Sequence, residues 1–363
     1  MLRRLPILIL VLALPALAPA AASAYLPPGF IGVSPQSAAT AKDFRLMQRA
    51  RVGSVRVPLN WAAVESDDPE YFPADWSNFD HELELAAEAR LRLLPFVYGS
   101  PDWVALSWNE LPVSTAWQRR AWARFLREAV ARYGPEGEFW EEHPDLPFLP
   151  IHRWEIWNEE NIVTFSGEPD PVEYARLIRV SGRALHAADP YSQVLIGGLF
   201  GRPLQIPPNV ASGNYLNRLY RAGNVRPYFD GVALHPYVAD ARAMIWQLRN
   251  LRRVMRLHND ARTPIYLTEL GWGSRSGPTR WERGLQGQAR QLSKSFAIIS
   301  ANRVRWRIGG VWWFTWTDES GGCLFCGSAG LLTANREAKP AWYRFNDWTG
   351  GNPDTVPRAK LGS

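Results

Sequence analysis

Two short runs place carboxylates where they could do chemistry: Trp154-Glu155-Ile156-Trp157-Asn158-Glu159-Glu160-Asn161 and Ile265-Tyr266-Leu267-Thr268-Glu269-Leu270-Gly271-Trp272. A carboxylate costs free energy wherever it is desolvated, so Glu269 directly after Ile-Tyr-Leu-Thr is hard to explain as packing. Paired carboxyls across a cleft suit glycoside hydrolysis. One stays protonated to donate to the departing oxygen, and the other stays ionised to attack the sugar or to activate water. Arg56, inside Val55-Arg56-Val57, is a charge within an apolar run and needs a carboxylate partner. Glu155 shares the strand parity of Glu159 four residues deeper and is expected to be a buried partner for a cation, with Arg56 a candidate.

Other chemistries find little support. The six His are dispersed, with no H-x-H or H-E-x-x-H, so no metal site is expected. Cys323 and Cys326 form a C-x-x-C pair without further ligands at zinc spacing, and a small loop disulfide is the expected state in an exported chain. No G-x-G-x-x-G follows the first strand and no P-loop occurs, so no nucleotide cofactor is expected.

The carboxylates need elements to hold them. From Phe30 onward, short apolar runs alternate with amphipathic ones. Strands are expected at Phe30–Val33, Ser54–Leu59, Leu93–Tyr98, Arg153–Asn158, Val194–Gly198, Gly231–Tyr237, Ile265–Glu269 and Gly310–Trp316. Helical stripes separate them, as in Leu285, Ala289, Leu292, Phe296 and Ile299, and in Tyr174, Leu177, Ile178, Ser181 and Leu185 after the helix-opening Asp170-Pro171. Eight strand–helix units predict an α/β fold, a single-domain (β/α)8 TIM barrel, whose site lies at the C-terminal ends of its strands. Glu159 and Glu269 then stand at one end of the barrel on facing strands.

The chain has 363 residues and a formal net charge of +6, with 37 Arg and 4 Lys scattered among acids. That pattern reads as a solvated helix exterior, so no nucleic-acid partner is expected. Residues 1–24 read as a signal peptide: Arg3 and Arg4 precede an apolar run, and Ala22-Ser23-Ala24 fits a cleavage site. A secreted or extracytoplasmic protein without stable membrane insertion follows, with a barrel over 25–348 and a polar tail over 349–363.

These motifs resemble retaining glycoside hydrolases of clan GH-A, most closely families 39 and 5, on the Trp-Asn-Glu-Glu-Asn run, Leu234-His235-Pro236-Tyr237, Thr268-Glu269 and the Trp-rich eighth strand. The resemblance implies that Glu159 is the acid/base and Glu269 the nucleophile. It implies further that Asn158 bonds the substrate 2-hydroxyl, that Arg56 stands beside the nucleophile, and that His235 and Tyr237 orient Glu269. It also implies a Trp floor for the cleaved sugar, with Trp316 favoured and Trp313 second. Many relatives carry Pro where this chain has Glu160, so two adjacent glutamates compete for the acid role, and the Asn-Glu register favours Glu159. That departure keeps open a catalytically silent carbohydrate-binding barrel.

The chain holds 18 Trp. Trp61, Trp103, Trp108 and Trp272 fall on loops after strands two, three and seven, where stacking platforms would line an open groove. Trp117, Trp122 and Trp140 are expected to be structural. An endo-acting, monomeric hydrolase of a polysaccharide or oligosaccharide is the resulting expectation.

Overall fold

The computed structural model describes residues 26–203, 206–277, 279–319 and 322–359; the leader and its cleavage site lie outside them. Eight parallel strands close into a barrel in sequence order: β1 Ile31–Val33, β2 Ser54–Asn60, β3 Arg92–Tyr98, β4 Arg153–Asn158, β5 Gln193–Phe200, β6 Gly231–His235, β7 Ile265–Leu270 and β8 Ile308–Trp313. The principal helices after them are α1 Ala41–Arg49, α2 Ser77–Glu88, α3 Ala116–Tyr133, α4 Pro171–Ala188, α5 Ser212–Arg221, α6 Met244–Leu257, α7 Leu285–Trp306 and α8 Pro340–Thr349. The chain is a (β/α)8 TIM barrel. No helix among the described residues is long and apolar enough to cross a membrane.

Local chemistry explains where the elements begin. Thr40 accepts from the Asp43 backbone N–H while Asp43 accepts from Thr40, a capping box that sets the start of α1. Asp170 caps α4, with Pro171 in the first turn. Strands β6 and β7 are buried along their whole length, as a sheet covered by helices requires. Leu94, Leu195, Tyr266 and Trp312 form a separate cluster filling the barrel, so its interior is packed.

Several strand ends differ from the sequence reading, and two of them bear on the site. β6 stops at His235, where Tyr237 N–H turns back to the His235 carbonyl. β8 starts two residues and ends three residues earlier than expected, spanning Ile308–Trp313. That shift decides which aromatic side chains can reach the barrel mouth.

Candidate active site

Arg56 is the hub of the mouth. It sits on β2 with 1% of its surface exposed. Its Nε and Nη2 each donate to Glu155 at 2.9 Å, Nη1 donates to Glu269 Oε1 at 2.8 Å, and Nη2 also reaches Asn158 Oδ1 at 2.7 Å. The guanidinium lies over the Phe96 ring, 4.1 Å from its centroid. Burial works against the charge, but Glu155 and Glu269 more than offset it and hold Arg56 protonated.

The end of β4 is bent to present two consecutive side chains. In a regular strand Asn158 would face the opposite way from Glu155. Trp157 instead adopts φ +71° and Glu159 φ +44°, unusual values for non-glycine residues. The Trp157 ring turns outward to Trp122, 6.1 Å between centroids, and both Asn158 and Glu159 line the cavity. The kink interrupts the ladder, because Ile156 and Asn158 pair with Ile196 and Gly198 on β5 but Trp157 has no partner there. Tyr174 of α4 bridges the gap: its hydroxyl donates to the Ile156 carbonyl and accepts from Gly197 N–H, each at 2.7 Å. The sequence marks Tyr174 only as one residue of a core stripe; nothing in its spacing signals this bond.

Glu160 goes the other way. It is fully buried, neither oxygen has a hydrogen-bond partner of good geometry, and burial pushes its carboxyl well above the usual range, which keeps it neutral. A Cβ on Gly197 would lie 2.6 Å from Glu160 Oε2, so glycine is required there for space. Backbone direction thus separates the adjacent glutamates, with Glu159 at the cavity and Glu160 behind it.

Glu159 and Glu269 share the mouth in unequal surroundings. Tyr237 donates to Glu269 Oε2 at 2.5 Å and Arg56 holds the other oxygen. Glu159 Oε1 meets only His235 Nδ1, at 2.7 Å. Burial raises both carboxyls; the Glu269 charge raises Glu159 further, whereas Arg56 and Tyr237 restrain the rise at Glu269. Two carboxyls whose environments separate their proton affinities can divide acid and base roles, with Glu159 as the proton holder. His235 is fully buried and, through burial and then Arg56, held well below its usual pKa, so it is neutral. A Cβ on Gly198 would fall 1.9 Å from His235 Nε2, so only glycine leaves room for the ring. Glu159, His235 and Glu269 have ligand atoms within 4.8 Å of one another. Glu269 is already engaged by Arg56 and Tyr237, and Glu159 by His235, and we assign no metal to them.

The mouth opens into a cavity of about 580 Å³, walled by Pro35, Pro58, Tyr98, Phe165, Phe200 and Phe325. Cys323 and Cys326 form a disulfide in its wall, the expected state. Trp316 and Trp313 do not reach it. Trp316 is 1% exposed, packs edge-on to Trp342 and donates to Asp43 at 3.1 Å. Trp313 is buried against the outer layer and donates to the Ala329 carbonyl. With β8 ending early, Phe314 is the residue that meets the cavity. The expected Trp platforms also change. Trp61 and Trp272 are fully buried, and Trp103 is half-buried with its N–H on the Glu65 carbonyl. Trp108 alone of the four is exposed, at 43%, edge-on to the wall residues Tyr98 and Phe165. Of the three expected structural Trp, Trp122 and Trp140 are buried while Trp117 is 44% exposed.

No known family's sequence profile matches the chain. Over 135 residues it is 25% identical to a beta-xylosidase of Geobacillus stearothermophilus, a match covering 33% of this chain and 26% of that one. Its structure is similar to a family 39 glycoside hydrolase from Bacteroides cellulosilyticus, with TM-score 0.64 and 18% identity, covering 89% of this chain and 63% of the other. It also resembles a monomeric beta-xylosidase from Caulobacter crescentus, with TM-score 0.61 and 18% identity over 87% of this chain and 67% of that one. A third likeness is to an intracellular xylanase from Thermoanaerobacterium saccharolyticum, with TM-score 0.57 and 15% identity over 89% and 96% of the two chains. The chain thus spans about a quarter of the curated relative it matches and under two thirds of the first structural neighbour. The resemblance read from the motifs extends to three dimensions: the barrel has the fold of family 39 glycoside hydrolases.

Proposed function

We propose that the chain is an exported, monomeric, retaining glycoside hydrolase that cleaves O-glycosidic bonds of an oligosaccharide or polysaccharide. The observation that carries this reading is the unequal carboxyl pair: Glu269 gripped by Arg56 and Tyr237, and Glu159 left with His235 alone. Glu269 attacks the anomeric carbon while Glu159 protonates the departing oxygen. Glu159, then a base, takes a proton from the water that releases the sugar with its configuration kept. Oxygens of the two carboxyls lie within 4.8 Å of each other, which favours retention, since inverting pairs stand about 6.5–9.5 Å apart to admit a water. Asn158, held by Arg56, is placed to contact the sugar beside the reacting carbon.

The expectation of endo action rested on Trp-lined loops. With Trp61 and Trp272 in the core, that support is gone, and the proposal keeps to glycosidic hydrolysis without a chain-end preference. A silent carbohydrate-binding barrel is disfavoured by the same carboxyl pair. Screening the protein against a polysaccharide panel with reducing-end detection tests the reading. Glu269→Gln should abolish turnover of whatever the native chain cleaves, and an unchanged rate would sink the assignment.

A further inference from the structure

Behind the acid/base runs a chain of three hydrogen bonds, and the partners set the proton direction in the first two. Thr268, fully buried on β7, donates its hydroxyl proton to Glu155 Oε1 at 3.2 Å, because that carboxylate already accepts two N–H groups from Arg56 and has nothing to give. A threonine has one hydroxyl proton. At its other contact, 3.1 Å from His235 Nε2, the oxygen must accept, so the ring proton of His235 sits on Nε2. His235 is neutral, so Nδ1 carries a lone pair, and that lone pair faces Glu159 Oε1 at 2.7 Å and Glu269 Oε2 at 3.6 Å. Lone pair and carboxylate repel at such a distance. The contact with Glu159 is a hydrogen bond only while Glu159 carries the proton.

We propose, resting on the glycosidase reading, that Thr268 is a positioning residue for the acid step: its hydroxyl locks His235 in the Nε2–H tautomer and thereby keeps the proton on Glu159. The lock works in both halves of the reaction. With no N–H to offer, His235 withholds stabilisation from the Glu159 carboxylate, which makes the acid slow to ionise in the resting site and a stronger base when it activates water. The other titratable groups facing the pair are Glu269 of β7, Arg56 of β2, and Glu155 and Glu160 of the β4 segment, with the Tyr237 phenol after β6. Of these only Arg56 is a cation, and it is committed to Glu155 and Glu269.

Thr268→Val keeps the shape and removes the hydroxyl. His235 is then free to carry its proton on Nδ1 and donate it to the Glu159 carboxylate. The alkaline limb of the kcat/KM pH profile should move to lower pH by about one unit, a tenfold change in proton affinity. The rate loss should be large for substrates with poor leaving groups and small for an activated aryl glycoside, with KM nearly constant, and Thr268→Ser should restore the native profile. An alkaline limb that stays put or moves upward in Thr268→Val overturns the proposal. Nitrogen-15 NMR of labelled histidine reads the tautomer without any turnover. Protonated Nε2 with bare Nδ1 in the native protein is expected, and protonated Nδ1 overturns the lock whether or not Thr268→Val folds. Absence of turnover on every glycan, with the Nε2–H tautomer present, counts against the proposed function alone.

Discussion

Two arginine–glutamate networks sit at different depths in the molecule and behave differently. At the mouth, one cation serves two fully or nearly buried carboxylates, since Arg56 pairs with Glu155 and Glu269 while Glu159 stands beside them without a cation of its own. Outside the barrel, Arg124 of α3 grips Glu65 with both oxygens engaged, at 2.8 and 2.7 Å, and reaches the more exposed Glu128 at 2.8 Å. Glu65 is 2% exposed and also accepts from the Trp61 N–H at 2.7 Å, so its charge is fully met. In the outer network the buried carboxylate has its cation and the second carboxylate, Glu128, faces solvent, so the network fixes a loop to a helix. The inner one sets three carboxyls around one cation, and there burial first, with the neighbouring carboxylates, raises Glu159 and Glu269 while Arg56 restrains the rise.

Removing each cation should separate the two. Arg56→Met strands Glu155 and Glu269 without a partner, and a loss of about 3–5 kcal/mol in urea unfolding is expected, together with loss of turnover. Activity surviving in this variant would erase the distinction between the networks. Arg124→Met should cost less, about 1–3 kcal/mol, because Glu65 keeps the Trp61 N–H and the site lies near solvent. Its kcat/KM should match the native value, and a parallel fall in activity would show that the outer network reaches the mouth.

The smallest effect sharpens the contrast by its sign. Glu159 has its folded pKa raised, chiefly by burial, so its contribution to stability is complete below the unfolded value of about 4.3 and is lost as pH rises through the higher folded value. Glu159→Gln, which cannot ionise, should therefore melt above the native protein at pH 7 to 8, with the difference vanishing below about pH 4. Melting curves across that range check it. A variant less stable than the native chain at pH 8 would mean that the Glu159 carboxylate is well solvated or paired.

Much of this was legible in the residues. Arg56 inside an apolar strand announced a buried partner, and Glu155 supplies it; the Asn-Glu run and the Thr268-Glu269 strand end marked the two carboxyls that meet. The aromatic side chains were harder to place. A three-residue difference in where β8 ends sends Trp313 outward and Trp316 to Asp43, and leaves Phe314 at the cavity. Loop Trp spacing is equally silent on whether a ring turns to the core, as Trp61 does, or to the rim, as Trp108 does.

The order of strands and helices and the need of the buried carboxylates for a cation follow from the sequence by itself, because periodicity and the cost of buried charge are properties of residue types. Which way side chains point at the end of β4, and which atom holds each proton, was decided only in the folded barrel. Those depend on a left-handed φ at Trp157, on Tyr174 arriving from α4 to bridge the ladder it interrupts, and on a threonine and a histidine from different strands meeting at 3.1 Å. Such contacts are made between residues far apart in the chain, and no local pattern encodes them.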